Sequence, residues 1–322
     1  MSSSRIASRM MAVLLSMAAI SAVSAQKEPA PILISILKGP SGIGSAWMMA
    51  EPPRFADAEL RFITASGADL VTAKLISGEI QGGVLPVNVA AKLYNAGVPI
   101  KAVAVVGNGM VKFLSADPSI RRLSDIRGKE IQIAGQKATP DYVFRFLAGE
   151  EGLKPGSDYY PVYSLAYPEI AAQLAAGRIA CAVLPEPFAT QAMSLNKALG
   201  SPFSLDALWN MRTGRKSYPM SLFVLSDRLV SSRPDIAEAL SRAYSRSIAK
   251  TLADPAGTGK LAESLDLGMK AAIAQASIPV SAYVYIEAAE ARDGIEALLS
   301  LFLEADPSSV GGKLPGSGFY TR

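Results

Sequence analysis

Glu186 stands between Pro185 and Pro187, directly after the apolar run Ile179–Leu184. The flanking imino acids restrict its backbone. A carboxylate held this way suits a ligand ammonium or ring N–H, or a cap on the helix that follows. Gly39-Pro40-Ser41-Gly42 follows a second apolar run, Ile32–Leu37. It suits an anion, because a helix N-terminus presents free N–H groups, and it equally suits a plain turn into a helix. Asn88, after Leu85-Pro86-Val87, fits a ligand hydrogen bond or an N-cap. Thr139-Pro140-Asp141 reads as a helix start, with Thr139 as the cap and Pro140 at the first helical position, where a ligand shares the free N–H groups. Lys38, Lys112 and Lys137 are cations placed to neutralise an anion. Tyr142, Tyr167 and Tyr218 suit the walls of a cleft, while Trp47 and Trp209 are expected in the core.

Covalent chemistry finds little support among these residues. The chain has no histidine and one cysteine, Cys181. Ser-His-Asp and Cys-His arrangements, His/Cys zinc sites and an intrachain disulfide are therefore excluded. Ser35-Ile36-Leu37-Lys38 and Ser194-Leu195-Asn196-Lys197 match Ser-x-x-Lys, but the first lies on an expected strand and neither is accompanied by the partner motifs of a penicilloyl hydrolase. Gly42-x-Gly44 lacks the third glycine of a dinucleotide fingerprint, since Trp47 occupies that position. Cys181 sits inside an apolar run and reads as an inert core thiol. No metal and no cofactor is expected.

The elements that must position these groups alternate strand and helix. Half of the 322 residues are apolar and 19% are charged, a globular composition. Met1–Ala25 has the layout of a secretory signal: Arg5 and Arg9, an apolar stretch from Met10 to Val23, then Val23-Ser24-Ala25 before polar Gln26. Cleavage after Ala25 lowers the net charge from +4 to +2. No clustered basic face remains for nucleic acid. No cysteine marks a lipid anchor at the cleavage site, so a soluble periplasmic protein is expected.

From Ile32 to Leu225 the rhythm is β-α-β-α, which predicts an α/β fold with a mostly parallel sheet. Pro234 to Ala305 is nearly all helical in pattern, with breaks at Asp254-Pro255, Gly268 and Ile278-Pro279. Val71–Ala91 and Ile170–Thr190 align without gaps at an offset of 99 residues, with eight of 21 positions identical. Each copy reads as helix, Gly stop, buried strand, Leu-Pro and a new helix. That repeat predicts two related lobes. Ligands of open α/β sheets bind beyond the carboxyl ends of the strands, so Leu85–Asn88 and Leu184–Phe188 are expected to line one cleft that closes by hinge motion.

The runs GEIQGGVLPVNVAAKLYNAGVPIKAVAVV, LSDIRGKEIQIAGQKATPDYVFRFL and GRIACAVLPEPFAT resemble the nitrate/sulfonate/taurine and thiamine-precursor group of ABC-importer solute-binding proteins. The resemblance covers about Ile32 to Thr190. It implies the type II periplasmic-binding-protein fold, with 26–112 plus 218–322 as the first lobe and 113–217 as the second. It implies ligand contacts from Lys38, Gly39, Ser41 and Gly42, from Pro86 and Asn88, from Asn108 and Gly109, from Lys137, Thr139 and Asp141, and from Glu186 and Phe188; Tyr218 joins these candidates as an amphipathic cleft wall. The implied partners are a small organic ligand (a sulfonate, carboxylate or heterocyclic vitamin precursor) and an ABC permease with its ATPase, served by a monomer that performs no chemistry. A receptor for a TRAP-type transporter or membrane sensor, and an enzyme on the same clamp, are the alternatives.

Overall fold

A computed structural model describes residues 31–133 and 135–321. The expected signal segment lies outside the described residues. Residues 32–322 form one compact unit. Within it are two sheets, each with helices on both faces.

The first sheet uses β1 (Ile32–Leu37), β2 (Leu60–Ala65), β3 (Gly82–Pro86), β4 (Ile100–Asn108), β9 (Pro219–Ser226) and β10 (Ile286–Glu287), in the order β10-β4-β9-β3-β1-β2. The second uses β5 (Val111–Ser115), β6 (Glu130–Ile133), β7 (Tyr160–Val162) and β8 (Cys181–Pro185), in the order β5-β8-β6-β7. The chain passes from the first sheet to the second at Gly109-Met110. It returns through the segment 214–218, after helix α7 (Leu205–Thr213).

The 99-residue repeat coincides with an architectural one. Helix α2 (Ala68–Ser77), β3 and α3 (Val87–Asn95) form the first copy; α5 (Tyr167–Ala175), β8 and α6 (Phe188–Leu195) form the second. Each repeated strand has a parallel neighbour on one side, β1 for β3 and β6 for β8. Each has an antiparallel neighbour on the other, β9 for β3 and β5 for β8. Residues 99 apart hold corresponding places: Pro86 pairs with Ser221 and Pro185 with Val111. Both helices of the repeat stop at a left-handed glycine, Gly78 at φ +74° and Gly177 at φ +71°, a conformation that glycine adopts without steric cost.

The sheets are less parallel than the β-α rhythm predicts. β9 and β5 are the strands that carry the chain between the two sheets. Each runs against its repeated neighbour, and β4 runs against β9. An element that arrives from another sheet is not bound to the right-handed parallel crossover of a local β-α-β unit.

Burial follows the order of the strands. β3 and β8 are interior strands and are buried almost throughout, as continuous Gly/Ala/Val/Leu runs between helical layers require. β2, at the sheet edge, keeps exposed residues within Leu-Arg-Phe-Ile-Thr. Ile34, Ile36, Val84, Phe223 and Leu225 are fully buried in the first sheet; each such side chain contributes about 1.5–3 kcal/mol. Cys181, Trp209 and Tyr218 are buried too.

Helices continue through α8 (Asp227–Ser232), α9 (Pro234–Ala253), α10 (Pro255–Ser264), α11 (Ala271–Ser277) and α12 (Arg292–Ala305). The segment between α11 and α12 departs from the expected helical tail. It makes a single 3-10 turn at Ile278–Val280, then runs extended to β10. The alternation Tyr283-Val284-Tyr285-Ile286 has the period of a strand, which a helical reading passes over.

Candidate functional site

Helix α1 (Pro40–Ala50) starts immediately beyond the carboxyl end of β1. Gly39, at φ +93°, makes the turn. The first intrahelical bond runs from Ile43 N–H to Gly39 O at 3.0 Å, so the N–H groups of Ser41 and Gly42 belong to the first turn and point out of the helix. Two aromatic rings stand over this turn. A Cβ at Gly39 would lie 3.2 Å from the Phe188 ring, and one at Gly44 would lie 3.2 Å from the Tyr283 ring. Phe188 in turn stacks on Tyr167, with centroids 5.5 Å apart.

Glu186 follows the end of β8, two residues before Phe188. Its carboxylate is fully buried. Oε2 accepts the Thr190 N–H at 2.9 Å, which makes the acid a cap on α6. Oε1 is buried without a hydrogen-bond partner; the nearest cation is Lys112 Nζ, at 3.7 Å. Burial pushes the Glu186 carboxyl above the usual range, opposed by the Thr190 and Lys112 contacts. The Tyr283 hydroxyl is also buried without a partner and feels the Glu186 charge. The Phe188 and Tyr283 rings thus lie against α1 at Gly39 and Gly44, with Tyr167 stacked behind Phe188 and the Glu186 charge felt at Tyr283.

Asn88, Lys137, Thr139 and Asp141 form a separate knot. Asn88 Nδ2 donates to Lys137 O at 2.8 Å and, at 3.5 Å, to Ser309 O. Its Oδ1 accepts the Thr139 hydroxyl at 3.2 Å. Thr139 is therefore not the side-chain cap its sequence suggests: helix α4 (Thr139–Glu150) takes Ala138 as N-cap, and the hydroxyl reaches across to the other sheet's helix. Asp141 accepts the Lys137 N–H and the Tyr163 hydroxyl, both at 2.8 Å, and closes the turn at Lys137, whose φ is +63°. Beside this knot the Tyr142 hydroxyl donates to Asp306 at 2.6 Å.

The other sequence candidates are spread around these two centres. Lys38 is paired with exposed Asp266 at 2.6 Å. Pro86 ends β3 and precedes α3. Asn108 N–H donates to Ala282 O at 2.9 Å, and Gly109 N–H to Ser217 Oγ at 3.0 Å. Tyr218 is fully buried against Trp209, 4.9 Å between centroids. Gly39 and Phe188 are thus brought together, and Tyr283, which the sequence reading misses, stands against α1 at Gly44 and feels the Glu186 charge. Cys181 is buried, and burial raises its thiol pKa, in keeping with an inert core residue.

Among solved structures, the chain resembles an ABC transporter from Parabacteroides distasonis, with 27% identity and a TM-score of 0.76 over 91% of this chain and 99% of that one. It resembles the periplasmic aliphatic sulphonate binding protein of Escherichia coli, with 15% identity and a TM-score of 0.72 over 91% and 92%. It also resembles the alkanesulfonate-binding protein of Xanthomonas axonopodis pv. citri bound to MOPS, with 17% identity and a TM-score of 0.68 over 89% and 96%. The last two are binding proteins, and the present chain shares the fold of all three. No curated protein sequence matches it. The model of the NMT1-like family matches residues 48–265, more than half of the sequence, and the chain belongs to that family.

Proposed function

We propose that this protein is the periplasmic solute-binding component of an ABC importer, taking one small organic ligand between two lobes and handing it to a permease. The lobes are 26–112 with 218–322, and 113–217. The protein acts as a monomer, exported by a signal at its N-terminus, and performs no covalent chemistry. The observation that carries the reading is Glu186: a fully buried carboxylate whose Oε1 has no hydrogen bond and meets only the Lys112 ammonium, 3.7 Å away. A buried charge of this kind is costly unless a partner offsets it, and perturbed groups in clefts mark function.

The same observation narrows the ligand. A sulfonate or carboxylate placed beside Glu186 would be repelled. A protonated amine or an aromatic heterocycle with an N–H donor satisfies Oε1 and packs on Phe188, Tyr167 and Tyr283. The test is thermal unfolding of the chain from Gln26 onward against nitrate, taurine, alkanesulfonates, aromatic carboxylates, pyrimidines and flavins. A ligand at ~1,000 times its Kd stabilises by about 4 kcal/mol, several degrees for a chain of this size. Pyrimidines or flavins are expected to give the shift. A shift with sulfonates alone sinks the ligand class. Turnover of any bound compound well above its uncatalysed rate sinks the function.

A further inference from the structure

Asp206 lies in the first turn of α7, a helix that packs on β5 and α4. An acid there ordinarily serves the helix dipole from an exposed position, where its carboxyl is more acidic than usual. Asp206 does neither. Its Oδ1 is buried and has no hydrogen-bond partner, and burial raises its carboxyl pKa to about 6.

The carboxyl rests on both segments that link the two sheets. On one side is Gly109, in the outgoing link; a Cβ there would collide with Asp206 Oδ1 and lie 2.9 Å from both Ser217 Oγ and the Tyr218 ring. Only a residue without a side chain admits the acid at this distance. On the other side is Ser217, in the returning link, whose hydroxyl favours the ionised carboxyl; its oxygen lies 2.9 Å from the same Cβ position and accepts the Gly109 N–H at 3.0 Å. One side chain of α7 thus lies against both the outgoing link and the returning one. The groups that face it are Lys112 from β5, whose charge favours the carboxylate, and Ser217 and Tyr218 from the returning link. Tyr218 is fully buried with an unpartnered hydroxyl. Its neighbour Trp209, on α7 itself, has an unpartnered indole N–H.

We infer that Asp206 is the positioning residue of the hinge: seated on Gly109 and set beside Ser217, it sets the equilibrium between open and closed lobes. It touches no ligand. Turning the lobes rotates the two links against each other and brings water to the carboxyl. Its protonated form is therefore favoured in the arrangement described here and its ionised form in the opened one. Protonation closes the lobes and ionisation opens them. The consequence for affinity rests on the solute-binding reading, because a ligand that needs the closed form binds in proportion to its population.

Closure is measured in the full chain without any ligand, so the outcome is independent of the ligand panel. Ser66 and Ser164 are exposed and follow β2 and β7, the edge strands of the two sheets. Spin labels at Ser66→Cys and Ser164→Cys report the opening by pulsed electron resonance; the native Cys181 is fully buried. Between pH 5 and 8 the short-distance population is expected to fall with a midpoint around 6. In Asp206→Asn it is expected to stay at its low-pH value throughout. In Ser217→Ala, which removes a polar group that favours the carboxylate, the midpoint is expected to move upward. Circular dichroism confirms that each variant is folded. A distance distribution that is the same at pH 5 and pH 8, or a pH response that persists in Asp206→Asn, overturns the inference.

Discussion

The hydroxyl of Thr139 donates to Oδ1 of Asn88 across 3.2 Å, and the two residues belong to helices that follow strands of different sheets. Asn88 completes the join by donating to Lys137 O. Both residues are buried, so every polar atom in the knot depends on its neighbour. An amide at this position therefore joins the two sheets, a role that a strand-end asparagine does not announce in the sequence.

Replacing it tests the join. Asn88→Ala strands the hydroxyl of fully buried Thr139, and an unpartnered buried group costs about 1–3 kcal/mol. Urea denaturation is expected to show that loss. An unchanged midpoint would mean that the knot contributes nothing net.

Tyr142 and Asp306 make a second join, from α4 to the segment after α12. The Tyr142 hydrogen bond is the largest influence holding the Asp306 carboxyl below its usual range. A depressed carboxyl contributes stability that is present above its unfolded value near 4 and is lost as pH falls below it. Tyr142→Phe is expected to lower stability by about 1 kcal/mol at pH 7, with the difference shrinking below pH 4. A difference that does not depend on pH would assign the loss to packing.

Glu186 has the opposite sign. Its carboxyl is raised by burial, so its contribution to stability is largest below pH 4 and declines as pH rises through the raised value. Glu186→Gln keeps the shape and an acceptor for Thr190. The ligand-free variant is expected to melt at least ~2 °C higher than the parent at pH 8, and to match it at pH 4. Its affinity for the ligand found in the thermal panel is expected to fall tenfold or more, the worth of a charge-assisted hydrogen bond. Unchanged affinity would remove Glu186 from the site.

Gly78 and Gly177 offer a test of the internal repeat. A Cβ at either position meets nothing within 4 Å, so alanine there is opposed only by the left-handed backbone. Gly78→Ala and Gly177→Ala are each expected to cost about 1–2 kcal/mol. Equal costs by chemical denaturation support equivalent helix stops. A cost at one position alone would break the equivalence.

Cys181 is expected to be silent towards aromatic disulfide reagents in the folded protein and to react in full once denaturant unfolds it. Its thiol is buried and less acidic than usual, and the thiolate is the reactive form. Reaction in the native state would contradict the core placement.

The sequence alone determined the alternation of strands and helices, the two copies of the repeat and the Gly stops, because these depend on local periodicity and backbone freedom. It also determined that Glu186, Ser41 and Gly42 stand at strand ends, since a run of apolar residues closed by Pro or Gly marks where a strand stops. The absence of histidine excluded whole classes of catalysis without any fold. Only the tertiary structure decided that β5 and β9 run antiparallel to their neighbours, since strand direction depends on where a link returns from. It turned Thr139 from a cap into a contact between sheets. It brought Tyr283 beside Glu186 and Asp206 onto Gly109, across 97 residues in each case. Such pairings are matters of distance through space, and neither composition nor period carries that distance.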